Sequence, residues 1–559
     1  MVIRWIPAVL LAAVCWASEE PPVFHVNTQL VEVDVAVHGK NGPVSGLTKN
    51  DFTILDNGKA QQISVFSVRS SGGKDSAKLA PLPPGVVSNR LTRSGEEPAS
   101  PTVILWDALN TETADQAWVR NQVIQYLRNA HPGDPIAVYI LVRNLRVIQD
   151  FTDDSAPLIL ALSRTNAEQS ADLSAPDLTD LQGQIANPAM AAPGTKGLAD
   201  LQRFAVTAAT EMTDYALRDQ VYITQAALES IAEHLSGLPG RKKLVWVSGS
   251  FPGITVNQRP RNGAPLTEVL DFSQQIEHAI RALNGANVAV YPMDPRGVAT
   301  GAKPASATRA LTPFPTTAEE AAAPATAGAL AAGSLTAPGI DTMLLLAGGT
   351  GGQAAYATND AMGAMKAVME DGEVTYRLGF YPTDERLDGS YHSLSVKVAR
   401  KGQGIDDVRA RKGYFAIDTK NPNNGRWRDR LNETMLNPLE ATQLALRASA
   451  VPVTGAPGVY EMELTLDLDG LHFEHEPNGR WVGAIALGTQ FSPQASTTGS
   501  LETIRLSLTE DRLRDGLMNG YRLRRKVITG TANGELHVVV EDAATGALGS
   551  VRVPLGLGE

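Results

Sequence analysis

The sequence predicts an α/β protein: a parallel sheet with helices on both faces, flanked by an N-terminal β unit and a C-terminal β-sandwich. From Thr102 onward, apolar runs alternate with stretches of helical spacing, which is typical of repeated β–α–β units. Before this region the apolar residues recur with a period of two, and after it short strand-like runs alternate with turn signals. At 559 residues the chain has room for three or four folded units.

Residues 1–17 have the parts of a secretory signal peptide. Arg4 gives a basic start, residues 6–16 are apolar but too few to span a bilayer, and the small Ala17 fits a cleavage site. Cleavage after Ala17 removes Cys15, the one cysteine, so the mature chain forms no disulfide. The sequence therefore predicts a secreted or periplasmic protein with no stable transmembrane anchor after cleavage.

The charge balance bears on the class of partner. Formal net charge is −11, from 49 basic and 60 acidic residues, so the chain as a whole does not attract nucleic acid or an anionic membrane. The dense basic patch YRLRRK, residues 521–526, alternates as the exposed face of a strand does. Nucleic acid is therefore not expected as a partner.

Residues 23–68 are predicted to form the N-terminal β unit. Val31, Val33, Val35 and Val37 alternate strictly, as in a half-buried strand. The segments GKNGP and LDNGKA carry Asn-Gly turn chemistry and predict hairpin connections. Residues 69–100 are rich in Ser, Gly and Pro without a period, and are predicted to be a linker.

Residues 101–417 are predicted to form the central α/β domain. Its predicted strands include TVILWDAL, DPIAVYILV, LRVIQDFT, RKKLVWVSGS, NVAVYPMDP and TYRLGFYP, with YHSLSVKVAR and DDVRARKGYFAI closing the region. LTEVLDFSQQIEHAIRALNGA is predicted to be one helix. Two tracts poor in pattern, 167–200 and 298–338, are predicted insertions. Residues 434–559 complete the chain as the C-terminal sandwich.

The order of these parts resembles bacterial proteins with a von Willebrand factor A-type domain, specifically the acidobacterial VWFA-related family. The resemblance is carried by GPVSGLTKNDFTILDNGKAQQISVF, TVILWDALNT, GRKKLVWVSGSFPG, NVAVYPMDPRG and TYRLGFYPTDERLDGSYHSLSVKVARKGQGIDDVRARKGYF. Together these segments span residues 23–415 apart from the linkers. The resemblance implies a Rossmann-like α/β domain that serves adhesion or protein interaction, commonly outside the cytoplasm.

The resemblance also implies a Mg²⁺ site at the carboxyl end of the first strand, built from an Asp-x-Ser-x-Ser loop with a Thr and an Asp from later loops. Matched in this sequence, Asp107 is the carboxylate and Thr111 the second hydroxyl, but Leu109 replaces the first Ser. Asn110 supplies an amide oxygen only if the loop shifts by one residue. Ser248 stands where the later Asp belongs. Because Mg²⁺ prefers several oxygen ligands, the sequence predicts a degenerate site; Mg²⁺ binding is the minority expectation, and no other cofactor is expected. The alternative role for Asp107 is to cap the next helix or bond loop amides.

Two further motifs suggest catalysis, and both lack parts. VSGSFPG, around Ser248 and Ser250, departs from the G-x-S-x-G pattern, and no His-bearing loop is placed to act as the base. GGTGG, residues 348–352, lacks the Lys-Ser/Thr of a P-loop and is interpreted as a turn. The sequence therefore predicts no enzyme and assigns no catalytic residue.

The predicted function is binding of an unidentified protein partner at the rim of the carboxyl ends of the parallel strands. The residues predicted at this rim are Asp107, Asn110, Thr111, Ser248, Ser250 and Asp294. Open α/β sheets bind ligands at that edge. Two alternatives stay open: a hydrolase that uses the same crevice, and a structural component of the envelope or of a secretion system.

Overall fold

The computed structural model describes residues 30–40, 42–70, 82–90, 100–111, 113–129, 135–165, 196–238, 240–249, 251, 254–261, 264–294, 339–356, 358, 360–372, 374–383, 388–399, 404–417, 427–492, 500–529 and 534–556. The signal peptide at 1–17, most of the insertion at 167–200, the insertion at 298–338 and Ser250 lie outside these residues. No described helix is both long and apolar enough to cross a membrane.

The described chain contains 25 strands and eight α-helices. The strands are β1 (Val31–Gly39), β2 (Gly42–Pro43), β3 (Phe52–Asp56), β4 (Lys59–Gln61), β5 (Ile63–Ser70), β6 (Val86–Ser88), β7 (Thr102–Asp107), β8 (Ile136–Leu141), β9 (Leu145–Thr152), β10 (Lys242–Val247), β11 (Ile254–Arg261), β12 (Ala264–Asp271), β13 (Val288–Met293), β14 (Val374–Phe380), β15 (Asp388–Val398), β16 (Ile405–Arg409), β17 (Gly413–Ile417), β18 (Leu446–Pro452), β19 (Val459–Leu466), β20 (Glu474–His475), β21 (Trp481–Ser492), β22 (Ser500–Leu508), β23 (Tyr521–Ile528), β24 (Gly534–Asp542) and β25 (Leu548–Leu555). The helices are α1 (Thr113–Asn129), α2 (Ser155–Arg164), α3 (Lys196–Ser236), α4 (Ser273–Gly285), α5 (Ile340–Thr350), α6 (Ala361–Glu370), α7 (Trp427–Leu436) and α8 (Glu510–Asn519).

The central sheet has the strand order β13-β10-β7-β8-β9. The first four strands are parallel, and β9 pairs antiparallel with β8 at the edge. Every residue of β7, β8, β10 and β13 is buried. Continuous apolar runs predict this burial, because helices cover both faces of a parallel sheet. The predicted α/β class with a parallel central sheet is thus confirmed for these four strands.

Three helices cover each face of this sheet. On one face, α3, α4 and α5 pack against residues such as Leu105, Tyr139 and Trp246. On the other face, α1, α2 and α6 pack against neighbours that point the opposite way, such as Trp106 and Val245. This alternation of neighbouring residues between the two cores follows from the period of two in a strand. The domain therefore has two separate cores with the sheet between them.

The strands after α6 leave the central sheet. β14 lies between β1 and β5, antiparallel to both, and β16 pairs with the other edge of β1. β15 joins β3, β4 and β17 in a second sheet. The two sheets share one hydrophobic core that includes Val33, Ile54, Tyr376 and Leu394. The prediction that TYRLGFYP continues the parallel sheet is therefore wrong: this segment completes the N-terminal β unit.

The C-terminal region contains two further sheets. β23-β19-β18-β6 forms one, and β20-β21-β24-β25 forms the other, with β22 paired to β21. Apolar residues of both sheets share one core, which includes Met462, Leu487 and Val538. β6 comes from the segment predicted as a linker, and it pairs with β18 through the register Ala448↔Val87. The chain thus passes through this region before it enters the central domain.

Two further elements differ from the sequence prediction. The sequence predicts that a helix begins at residue 266, but residues 264–271 form β12, which pairs with β11 from Ile254↔Asp271 to Arg261↔Ala264. The sequence carries Asn262-Gly263 between these strands, which is the strongest short-range hairpin signal. Helix α3 begins at Lys196, inside the segment predicted as an insertion, and continues for 41 residues.

A buried ionic cluster joins the amino end of the central sheet to the sheet that contains β1 and β14. Asp371, which follows α6, is 1% exposed. Its carboxylate lies 3.5 Å from Arg241 Nη2 and 3.5 Å from Arg409 Nη1, and it accepts a hydrogen bond from Tyr291. His38 Nε2 of β1 lies 3.4 Å away. Burial raises the pKa of Asp371, but Arg241, Tyr291, Arg409 and His38 outweigh it and bring the pKa below its ordinary value.

Asp34 of β1 lies at the same interface and is also buried. It accepts hydrogen bonds from Arg377 Nε of β14 at 3.2 Å and from Asn287 Nδ2 of the central domain at 2.7 Å. Charged and polar groups from both regions thus pair with one another away from water. Such groups are costly to bury unless they are paired, so separating the two regions would remove partners from both Asp34 and Asp371.

Substitution of Gly352 by alanine tests how closely the turn after α5 packs on the central sheet. A Cβ at this position would lie 1.9 Å from the Val290 carbonyl oxygen of β13, whereas a Cβ at Gly348 would meet nothing within 4 Å. Gly352→Ala should lower the free energy of unfolding by about 2–3 kcal/mol, because a backbone atom cannot move aside. Gly348→Ala, in α5, should raise it by about 0.5–1 kcal/mol through helix propensity. Urea unfolding measures both, and equal effects of the two substitutions would contradict this packing.

Lys242, the first residue of β10, tests the electrostatics of the interface. It is 2% exposed, and its amine donates to the Leu238 carbonyl at 2.6 Å. Burial lowers its pKa from 10.5 to about 7, while Asp34 opposes the shift. Between these two pKa values the unfolded chain binds more protons than the folded one. The free energy of unfolding should therefore rise with pH in this window, by up to about 1.4 kcal/mol per pH unit.

Lys242→Met should remove this rise. Urea unfolding of the wild type and of the variant, compared across the lower half of the window, measures the difference between their slopes. Lys366→Met is the matched control, because the Lys366 side chain is 73% exposed and its removal should leave the slope of the wild type unchanged. Equal slopes for the wild type and Lys242→Met would show that the amine keeps its proton when folded.

Candidate functional site

Three neighbouring parallel strands end at the same edge of the central sheet. β7 ends at Asp107, Ser248 follows β10, and Asp294 follows β13. The register pairs Val247 with both Trp106 and Met293. The residues just beyond the strand ends therefore come together, as the sequence predicted for this edge.

Asp107 is the centre of the site, and its carboxylate is fully occupied by protein donors. Oδ1 accepts the Asn110 backbone N–H at 3.0 Å. Oδ2 accepts three donors: Asn110 Nδ2 at 2.8 Å, Ser248 Oγ at 2.8 Å and Trp246 Nε1 at 3.0 Å. The side chain is 0% exposed. Asp107 therefore bonds loop groups, as in the alternative interpretation, and it presents nothing to solvent.

Thr111 holds the loop after β7 against the loop after β10. Its hydroxyl donates to the Asp107 carbonyl at 2.6 Å and accepts the Gly249 N–H at 3.0 Å. Gly249 packs so closely that a Cβ there would lie 2.9 Å from the Asn110 carbonyl oxygen. Gln116 of α1 donates to the carbonyls of Ala108 and Thr111 at 3.1 and 3.0 Å. The carbonyls of Asp107, Ala108 and Thr111 thus each accept a hydrogen bond from a side chain.

Thr224 of α3 is a site residue that the sequence did not reveal. Asn110 Nδ2 donates to its hydroxyl at 2.8 Å, and this hydroxyl donates to the Gln220 carbonyl one turn earlier. Thr224 is 0% exposed. Its position is set by α3 lying across this face of the sheet, which no local sequence pattern shows.

The other predicted site residues have different environments. Leu109 is 8% exposed and belongs to the hydrophobic core beneath α3 and α4. Asp294 is 8% exposed, and its backbone N–H donates to the Ala355 carbonyl at 2.9 Å. Thr111 and Ser248 are also buried. Most of the residues predicted to form an exposed rim therefore lie beneath the surface, and Asn110 is half-buried.

The electrostatics of the site follow from this burial. Burial raises the pKa of Asp107, while the hydrogen bonds from Asn110, Ser248 and Trp246 lower it, and burial prevails. In the described part of the chain, no group of three or more His, Cys, Asp or Glu side chains is arranged to hold a metal ion. The hydrogen bonds of the site therefore fix the Asp107 carboxylate and the loops after β7 and β10 relative to one another.

The hairpin of β11 and β12 follows this edge in the chain, and four residues separate Gly249 from the start of β11 at Ile254. Its eight residue pairs make a two-stranded ribbon about 27 Å long. Among the described strands, neither β11 nor β12 pairs with a third strand. The outer backbone edges of the ribbon therefore belong to no larger sheet.

No family model matches the chain, and no curated protein matches it. Among solved structures, it is similar to a von Willebrand factor type A protein from Catenulispora acidiphila at 8% identity and TM-score 0.24, covering 89% of this chain and 74% of that one. An aerotolerance-related membrane protein from Bacteroides fragilis has 10% identity and TM-score 0.25, covering 49% of this chain and 98% of its own. The conserved hypothetical protein BatB from Bacteroides thetaiotaomicron has 10% identity and TM-score 0.23, covering 49% and 97%.

The structural neighbours include a von Willebrand factor type A protein. These likenesses are weak, and the fold assignment rests on the strand order and register of the central sheet.

Asp107→Ala should lower the free energy of unfolding by about 3–5 kcal/mol, because buried donors of Asn110, Ser248 and Trp246 lose their acceptor. In Asp107→Asn the amide oxygen can take the place of Oδ2 as the acceptor. The amide NH₂ then takes the place of Oδ1 and faces the Asn110 backbone N–H, so this substitution should cost about 1–2 kcal/mol. Asp115→Ala, in the first turn of α1, is the control, with an expected cost below about 1 kcal/mol. An Asp107→Ala variant as stable as this control would contradict the central role of the carboxylate.

Proposed function

We propose that the chain is an exported binding protein whose central domain recognises a protein partner at the carboxyl edge of the parallel sheet, without a cation. The observation that carries this proposal is the saturation of the Asp107 carboxylate by four donors from Asn110, Ser248 and Trp246. A loop fixed in this way is a rigid platform. Rigid loops on a packed scaffold are common recognition surfaces.

The residues at this edge do not fit Mg²⁺. The groups around Asp107 Oδ2 are an amide N–H, a hydroxyl and an indole N–H, each directing hydrogen toward the place that a cation would occupy. Mg²⁺ needs about six oxygen ligands in an octahedron, and Leu109 supplies none because it lies in the core. The degenerate metal site is therefore part of the proposal, and no step of recognition uses a metal.

A hydrolytic role for Ser248 has less support. Its hydroxyl donates to Asp107 at 2.8 Å and its side chain is 0% exposed. A nucleophilic serine needs a base that takes its proton and a path to the substrate. These contacts support a structural role for Ser248, in which its hydroxyl helps to hold the carboxylate.

The β11–β12 hairpin is the element through which we expect the partner to bind. It follows in the chain from the loop that the hydrogen bond between Thr111 and Gly249 fixes. The backbone donors and acceptors on its outer edges pair with no other described strand. An extended segment of a partner can add to such an edge as a further strand. The saturated site then fixes the base of the hairpin, and the hairpin makes the contacts.

To test the proposal, the mature chain is immobilised on a solid support and incubated with a cell-envelope extract. We expect a specific protein to be retained, with retention unchanged by EDTA. Replacing residues 256–269 by a short Gly-Ser link spares Leu270, which lies in the core, and Asp271, which accepts from Ser273. This variant should lose retention while its melting temperature stays close to that of the wild type. Millimolar MgCl₂ should not shift that temperature, because no cation binds.

Met518→Ala is the control for this experiment, because Met518 is 72% exposed on α8 of the C-terminal region. It should retain the partner as the wild type does. Loss of retention in EDTA, or a melting temperature that rises with MgCl₂ and fails to rise in Asp107→Asn, would overturn the cation-free proposal. Retention by the variant without the hairpin would show that the partner contacts another part of the chain. Turnover of ester or peptide substrates that Ser248→Ala abolishes would favour the hydrolase alternative.

A further inference from the structure

Helix α3 carries large apolar side chains on its solvent side. Phe204 is 72% exposed, Met212 62%, Tyr215 72% and Tyr222 55%. Large apolar residues that are this exposed and this close together are unusual on a monomer. We call these four side chains the α3 stripe.

The α3 stripe lies on one side of the helix. Phe204, Tyr215 and Tyr222 are separated by eleven and seven residues, which return to the same side because 3.6 residues make one turn. The buried residues of the helix, such as Val221 and Ile231, lie on the opposite side and pack on the central sheet. The stripe therefore belongs to no core of the described chain and runs for about 27 Å along the helix.

We propose that the α3 stripe is the interface between two copies of this chain, whose α3 helices pack antiparallel about a two-fold axis level with residue 213. The spacing of the stripe is self-complementary about that point. Phe204 of one copy lies level with Tyr222 of the second copy, and the Met212 side chains of the two copies meet near the axis. A two-fold interface requires this kind of self-complementarity.

The charges beside the stripe fit the same arrangement. Glu211 and Arg218 are exposed and lie on the same flank of the helix, seven residues apart. In the antiparallel pair, a two-fold axis brings the same flanks of the two helices together. Glu211 of one copy then lies within one helical turn of Arg218 of the second copy, and the contact occurs twice. A parallel pair would bring opposite flanks together and would lose these contacts.

The size of the surface suits a modest dimer. Aromatic side chains bury about 150–250 Å² each, so the exposed parts of the stripe amount to roughly 500 Å² per copy. Two copies then bury about 1,000 Å², the lower limit for a specific interface. We therefore expect a dimer that dissociates on dilution.

Analytical ultracentrifugation of the mature chain tests the interface. We expect a concentration-dependent dimer in the wild type and a monomer in the double variant Phe204→Glu, Tyr215→Glu, with an unchanged melting temperature. Met518→Glu, at a side chain equally exposed elsewhere, should remain dimeric. A wild type that stays monomeric at the highest concentrations, or a dimer that survives the double variant, would overturn the proposal.

Charge reversal tests the pairing of the flanks. Glu211→Arg should raise the dimer dissociation constant about tenfold or more, because arginines then face each other, and adding Arg218→Glu should restore it. No effect of the single reversal, or no rescue by the double one, would contradict the antiparallel arrangement.

Disulfide trapping tests the register, in a chain without Cys15. Met212→Cys should oxidise to a symmetric cross-linked dimer, because the two copies of residue 212 lie beside the axis. Phe204→Cys alone should not cross-link, since its two copies are about 27 Å apart. The double variant Phe204→Cys, Tyr222→Cys should cross-link between copies. A dimer cross-linked by Phe204→Cys alone would show a parallel pair and overturn the proposal.

Discussion

The architecture depends on the buried carboxylate of Asp371. Its partners come from two regions of the chain: Arg241 and Tyr291 from the central domain, and His38 and Arg409 from the neighbouring β sheet. A buried charge deprived of one partner costs about 3–5 kcal/mol. Each region therefore supplies partners to buried groups of the other, and separating the two regions would remove His38 and Arg409 from Asp371. β14 begins three residues after Asp371 and pairs with β1 and β5, so the chain passes from one region to the other at this cluster.

The pKa of a buried aspartate is shifted in opposite directions at the two ends of the central sheet. At the amino end, the cations around Asp371 bring its pKa below the ordinary value. At the carboxyl end, Asp107 has only neutral donors, and burial raises its pKa. Cations hold two regions together, whereas neutral donors fix the shape of a loop. The cluster at the amino end therefore joins two regions of the chain, and the network at the carboxyl end fixes the loops that follow β7 and β10.

Local sequence patterns predicted what is decided locally. The apolar runs of β7, β8, β10 and β13 specify burial on both faces, so the parallel sheet and the position of Asp107 at its edge were predictable. Pairing between distant segments leaves no such trace: β14 has an ordinary strand pattern, and only the fold places it beside β1. Thr224 meets Asn110 for the same reason, across 114 residues. The β11–β12 hairpin is different, because the sequence Asn262-Gly263 is a local hairpin signal from which the element could be predicted.

Helix α3 links the carboxyl edge to the proposed dimer. Thr224 faces the site and bonds Asn110, while Tyr222, two residues earlier, is exposed on the opposite side. In the antiparallel pair the two copies of Thr224 are about 33 Å apart along the helix axis. Each dimer would then present two recognition edges at a fixed spacing. A partner with repeated surfaces could engage both, and the second contact would form at a high effective concentration. If the proposed edge binds a partner, two such contacts would together bind more tightly than one, without any change in the edge itself.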